Sequence, residues 1–123
     1  MSSLNHIHFV SLNVQGLRDR YKRLRVLQWL KNQKAYIVFL QETHFTEDII
    51  DIISQDFENW RFFNSYGKNL CRGCSIMIKK DIPHNIKNYF IDDNGRYVLI
   101  NVELHDNPYC QINIYAPNDK KTT

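Results

Sequence analysis

The run Ile37-Val38-Phe39-Leu40 gives way at once to Gln41-Glu42-Thr43-His44, and the carboxylate of Glu42 is the group through which this chain could do chemistry. Four apolar residues of β-branched and aromatic type describe a strand buried on both faces, delivering an acid to its C-terminal mouth. Open α/β sheets collect ligands just beyond such strand ends. Asn13 follows an earlier strand-like stretch, and Tyr115-Ala116-Pro117-Asn118 follows a later one. An amide, a carboxylate, a phenol and a second amide at one mouth suit a phosphate held by hydrogen bonds around a hard cation. Mg²⁺ needs only one or two carboxylates when phosphate and water fill its remaining positions. Each residue also has a structural reading on its own: a Glu can end a strand, an Asn can make a turn, and a Tyr can cap an amphipathic strand.

The elements that must position these groups follow from periodicity. His6 to Leu12 alternates and reads as a first strand, and Asn13-Val14-Gln15-Gly16 breaks it. Leu17 to Gln33 reads as a well-buried helix with Val26, Trp29 and Leu30 at i, i+3, i+4, its stripe widened by Tyr21, Leu24 and Leu27. Ala35 to Gln41 closes a strand, helix, strand unit whose strands should run parallel. Thr46 is the expected N-cap of a second helix, with Glu47 and Asp48 in its first turn and Ile49, Ile50, Ile53 and Phe57 on its inner face.

From Asn59 the period changes to two. Trp60–Tyr66, Cys74–Lys79, Ile86–Ile91, Arg96–Leu104 and Tyr109–Tyr115 read as antiparallel strands. Turn chemistry separates them at Gly67-Lys68-Asn69, Asp81-Ile82-Pro83, Asp93-Asn94-Gly95 and His105-Asp106-Asn107-Pro108. Asp92, Asp93 and Asp106 are therefore read as turn residues. One alternating apolar face is expected from Ile76 with Ile78, Val98 with Ile100 and Val102, and Ile112 with Ile114.

At 123 residues, 43% apolar and 24% charged, the chain is a single globular domain or part of one, which argues against a disordered tail. Short apolar runs and an N-terminus without a basic and then hydrophobic pattern point to an intracellular protein, nuclear or cytoplasmic, with no membrane partner. Cys71, Cys74 and Cys110 are an odd set that favours thiols over a disulfide framework. Cys71-x-x-Cys74 has no second pair to complete a zinc site, so Cys74 is read as strand core and Cys71 as loop. Seven of the sixteen basic residues lie from Arg18 to Lys34. Without an aromatic and basic alternation suited to base stacking, they read as a solvated helix face.

Five blocks in order carry a resemblance: Ser11-Leu12-Asn13-Val14-Gln15-Gly16-Leu17, Leu40-Gln41-Glu42-Thr43-His44, Arg72-Gly73-Cys74-Ser75-Ile76-Met77-Ile78, Gly95-Arg96-Tyr97-Val98 and Asn113-Ile114-Tyr115-Ala116-Pro117-Asn118. Together, from about His6 to Asn118, the chain resembles the endonuclease/exonuclease/phosphatase superfamily, and most of all the apurinic-like endonuclease domain of LINE-type non-LTR retrotransposons. The resemblance implies an α/β fold, the N-terminal half of a four-layer α/β/β/α sandwich. It implies Glu42 as the Mg²⁺ ligand, Asn13 orienting metal-bound water or substrate phosphate, and Tyr115 hydrogen-bonded to the scissile phosphate. His44 and Asn118 would support substrate at the same mouth. The implied reaction is hydrolysis of a DNA phosphodiester.

The family pattern continues beyond the Tyr-Ala-Pro-Asn block with Asp-x-Asn and Ser-Asp-His motifs, and neither follows that block here. Residues 1–123 are accordingly read as one partial domain, cut after the Tyr-Ala-Pro-Asn block. Two functions are expected to compete: a fragment of a Mg²⁺-dependent DNA endonuclease, inactive alone for want of its water-activating groups, or a non-catalytic descendant acting as a nucleic-acid or protein interaction module. A phosphatase or phospholipase of the same superfamily is a weaker third. Loss of the partner sheet is expected to leave the inner apolar sheet face uncovered, which would favour self-association through it.

Overall fold

A computed structural model describes residues 8–68 and 71–114. Tyr115 and Asn118 lie outside the described residues, as do His6 and Ile7 of the expected first strand. Strand β1 (Phe9–Asn13) leads through a loop to helix α1 (Arg20–Gln33) and strand β2 (Ile37–Gln41). A 3₁₀ turn (Glu47–Ile49) runs into helix α2 (Ile50–Asp56), followed by β3 (Trp60–Ser65), β4 (Cys74–Lys79), β5 (His84–Ile91), β6 (Tyr97–Leu104) and β7 (Asn107–Ile114).

β1 and β2 are parallel, as the intervening helix requires. β4 inserts antiparallel between β2 and β3, giving a four-stranded sheet in the order β1-β2-β4-β3, while β5-β6-β7 form a separate antiparallel sheet. The change of period at Asn59 thus marks a change of strand direction, not of sheet. Val38, Leu40 and Met77 project toward the helices and pack with Leu17, Leu30, Ile53 and Phe57. Ile37, Ile76 and Ile78 project the other way, onto Val98, Ile100, Val102 and Leu104 of the second sheet. The result is three layers: helices, sheet, sheet.

That second core corrects two expectations. The inner face of the first sheet is covered by β5–β7 from within this chain. Ile112 and Ile114 do not join it: they are 51% and 62% exposed, whereas Gln111 and Asn113 are the buried residues of β7. The uncovered apolar surface is instead the outer face of the second sheet. There Phe90, Leu99 and Ile112 stand side by side across the three strands, and Tyr97 pairs with Ile114. Phe90 is 60% exposed and Tyr97 41%.

The helices also depart from the simple pattern. Asp19 caps α1, accepting the Lys22 amide at 2.9 Å, so the helix begins three residues later than its apolar periodicity implies. The carbonyls of Leu17 and Arg18 accept from the Arg23 guanidinium rather than from a further helical turn. Val26, Leu27 and Leu30 face the core, but Tyr21, Leu24 and Trp29 are exposed. Thr46 makes no backbone cap to the second helical segment. Its hydroxyl accepts from Arg18 Nη1 at 2.9 Å and donates to Asp48. That bond is the chief influence holding the Asp48 carboxyl below its ordinary range.

Arg23 is the basic residue that sequence places on a solvated face and folding buries, at 4% exposure. Its Nε donates to Asp56 at 2.9 Å and its Nη2 lies 2.8 Å from the same carboxylate, locking α1 to α2. Arg20 reaches the other Asp56 oxygen at 3.4 Å from a largely exposed position. Removing one partner of a buried pair strands the other charge. Arg23→Met is therefore expected to lower unfolding free energy by about 3 kcal/mol in urea titration, and Arg20→Ala by under about 1 kcal/mol.

Candidate active-site mouth

Parallel pairing sets Asn13 beside Gln41, so Asn13 and Glu42 emerge at the same end of adjacent strands. Asn13 Nδ2 donates to Glu42 Oε2 at 2.5 Å, and Asn13 Oδ1 accepts the Gln15 amide at 3.2 Å. The carboxylate is thus oriented by an amide that is itself fixed by the following turn. Both side chains are accessible rather than core-buried.

The backbone here is held in unusual conformations. Gln15, Glu42, His44 and Arg72 all have positive φ, at 50°, 56°, 61° and 63°. Left-handed backbone costs a non-glycine residue on the order of 1 kcal/mol, and it persists where surrounding bonds over-determine it. Those bonds are visible. Gly16 N donates to Glu42 O at 2.6 Å and Leu17 N to Thr43 O at 2.9 Å, tying the β1 loop to the β2 loop. On the other side Thr43 N donates to Gly73 O at 3.0 Å and His44 N to Arg72 O at 2.9 Å. Thr43 and Phe45 point inward and are buried, which turns Glu42 and His44 outward.

Glycines let these loops close. Gly16 has φ +90°, and a Cβ there would lie 2.8 Å from His44 Nδ1. Gly73, also at φ +90°, would place a Cβ 2.6 Å from Thr43 Oγ1. Its amide donates to Gly95 O at 3.1 Å, and Gly95 itself has φ +75°. The Gly95-Arg96-Tyr97 segment consequently serves the mouth as well as the β5–β6 hairpin. Asp92 sets that hairpin, accepting the Asn94 amide at 3.1 Å, the Arg96 amide at 3.0 Å and Arg96 Nε at 3.2 Å.

Of the residues expected at the mouth, the structure brings together Asn13, Glu42 and, on the next turn of backbone, His44, whose ring lies over Gly16. Cys74 is buried strand core and Cys71 exposed loop, as expected. Among the described residues no group of three or more His, Cys, Asp or Glu is arranged to hold a metal ion. One carboxylate with an adjacent amide still fits Mg²⁺, which takes few protein ligands, and does not fit a structural zinc site. Beside Asn13 a cleft of about 420 Å³ opens between the β1 edge and α1, lined by Leu12, Lys22, Val26 and Trp29 among others. Lys22 Nζ closes its floor by donating to Gln15 O at 3.2 Å and to Val14 O.

Sequence reasoning missed the polar link behind the mouth. Gln41 Nε2 donates to Asn113 Oδ1 at 2.8 Å and to Ser11 Oγ at 3.1 Å. Its signal was available: Gln111 and Asn113 are polar and lie two apart within a strand, so they share a face.

This layering places a polar mouth where the parallel strands β1 and β2 end. The chain belongs to the endonuclease/exonuclease/phosphatase family, whose model matches residues 10–118. It is 26% identical over 115 residues to an exodeoxyribonuclease of Bacillus subtilis (strain 168), covering 91% of this chain and 43% of that protein. It is 25% identical over 107 residues to the transposon TX1 uncharacterized 149 kDa protein of Xenopus laevis, covering 87% of this chain and 8% of that one. Among solved structures it resembles D. rerio TDP2 complexed with a single-strand DNA product, with TM-score 0.71, 18% identity, and 93% and 47% of the two chains covered. It also resembles the endonuclease domain of TRAS1, a telomere-specific non-LTR retrotransposon, with TM-score 0.62, 16% identity, and 90% and 46% covered. The chain thus spans less than half the length of these relatives. No described helix is long and apolar enough to cross a membrane.

The Asp92 turn gives a pH signature. Burial alone would raise this carboxyl, but the Arg96 side chain and the amides of Arg96 and Asn94 outweigh it and hold it below its ordinary value. A depressed folded pKa contributes stability that is complete above the unfolded carboxyl value of about 4 and is lost as pH falls through the folded value. Asp92→Asn should therefore cost roughly 1 kcal/mol near neutrality and flatten the acid limb of stability, measured as urea midpoints at successively lower pH.

Proposed function

We propose that this chain is the cation-binding portion of a Mg²⁺-dependent DNA endonuclease. The observation that carries the reading is the Asn13 amide bonded to the Glu42 carboxylate at the shared mouth of β1 and β2. Glu42 would hold the cation and Asn13 would fix the direction of its carboxylate and hydrogen-bond a substrate phosphate. When bound, Mg²⁺ supplies positive charge to a phosphodiester oxygen. His44, Tyr115 and Asn118 are proposed as phosphate-binding groups around it. The names of the relatives support a DNA substrate, since they include an exodeoxyribonuclease, a retrotransposon endonuclease domain and a protein complexed with single-strand DNA.

Hydrolysis also needs a group to activate water within hydrogen-bond reach. Among the described residues no group of three or more His, Cys, Asp or Glu gathers at Glu42 to share that work. Cation binding, rather than turnover, is thus the property to expect of the chain alone. Mn²⁺, used as a spectroscopic substitute in a titration, should bind wild type and lose about tenfold or more in affinity in Glu42→Gln, with the urea midpoint little changed. Equal affinity in the variant would remove Glu42 from the site.

The outer face of β5–β7 favours a second reading, in which the chain acts as an interaction module and its first partner is another copy of itself. Phe90, Tyr97, Leu99, Ile112 and Ile114 form a contiguous apolar surface of the kind that marks an interface. Sedimentation should show concentration-dependent association that Ile112→Lys abolishes. A monomer at all concentrations would dismiss it.

A further inference from the structure

We infer that Asn113 is a positioning residue for the mouth, holding Glu42 in place from the opposite sheet. The inference rests on the reading of Glu42 as the cation ligand. Asn113 is 4% exposed, on a strand whose alternate residues Ile112 and Ile114 face solvent. An apolar residue would be the ordinary occupant between two sheets. Instead its Nδ2 donates to Leu40 O at 2.9 Å and to Ser75 O at 2.8 Å, and its Oδ1 accepts from Gln41 Nε2 at 2.8 Å.

Leu40 and Ser75 are partners across the β2–β4 pair, so one amide fastens both strands. Through Gln41 and Ser11 the link extends to β1 as well. Both amide hydrogens and the carbonyl of Asn113 are in use, so the side chain has one orientation that satisfies it. Two of these anchors, Leu40 and Gln41, are the residues immediately before Glu42. Glu42 itself is left-handed, and the next fastenings are Gly16 N to Glu42 O at 2.6 Å and Thr43 N to Gly73 O at 3.0 Å. Glu42 is therefore held from three sides: by the β1 loop and Asn13, by the β4 approach, and, through Gln41 and Leu40, by the second sheet. Loss of the link from the second sheet releases the Gln41 side chain and loosens the strand end from which the carboxylate projects.

A residue that acts through another should change the ligand affinity of that other residue, and partners that orient metal-binding groups do so by 10–100-fold. Asn113→Ser and Gln41→Met in the full chain are each expected to weaken Mn²⁺ binding about tenfold. The double variant should be no weaker than either single one, because both break the same link. A merely structural Asn113 would lower the urea midpoint and leave Mn²⁺ affinity unchanged, and that result would overturn the inference. Amide exchange gives a readout without cation: Thr43 and Gly16 should exchange faster in both variants while Ile78 and Ile100 stay protected. Unchanged exchange at Thr43 and Gly16 would overturn it too. If wild type binds no Mn²⁺, the reading of Glu42 fails, and the exchange result alone decides whether Asn113 holds the mouth. Should Asn113→Ser not fold, Gln41→Met, at a half-buried position, carries both measurements.

Discussion

Burial of β2 on both faces is the constraint on which the rest depends. Val38 and Leu40 face the helices, while Ile37 faces the second sheet, and Ile37, Val38 and Leu40 are each at most 1% exposed. Each such side chain contributes roughly 1.5 to 3 kcal/mol through burial. A one-residue slip would exchange the two faces and disrupt both cores together. Register is thereby fixed, and with it the point at which the strand ends and Glu42 begins. The parallel neighbour then has no freedom over where Asn13 emerges.

Rigidity of the strand does not by itself aim the carboxylate, because the chain leaves the sheet at Gln41. Aiming is done by backbone bonds between loops. Residues 14–17 bond to 41–43, residues 43–44 bond to 72–73, and Gly73 bonds to Gly95. Four non-glycine residues in left-handed conformation are the local cost. That cost is tolerable because hydrophobic packing behind the mouth, at Leu17, Phe45 and Cys74, is complete. Stability made in the cores thus supports strain at the site, the usual division between scaffold and function.

Much of this was legible in the residues. The buried strand before Glu42, its parallel partner, and the hairpin strands appear at nearly their observed limits because long periodic runs leave few alternatives. Three features were not legible. Sheet membership of β3 and β4 depends on which strands meet in space, about which alternation is silent. Arg23 reads as surface because its partner, Asp56, lies on another helix. Thr46 has the residue type of a cap, yet Arg18 and Asp48 claim its hydroxyl.

The misassigned face of β7 explains more than an error of one residue. Alternation offers two parities, and apolar Ile112 and Ile114 argue for burying one of them. Energetically that choice would remove two large side chains from water, so the folded parity must be compensated. Its compensation is polar: Asn113 satisfies all its hydrogen-bonding groups against β2 and β4, and Gln111 is buried beside it. A satisfied buried amide contributes little net stability, but left unsatisfied it costs 1 to 3 kcal/mol, roughly. Such a group selects one register sharply while adding little to stability. Positions where polar specificity displaces apolar burial are where sequence rules fail for a reason, and here that position lies directly behind the strand end that carries Glu42.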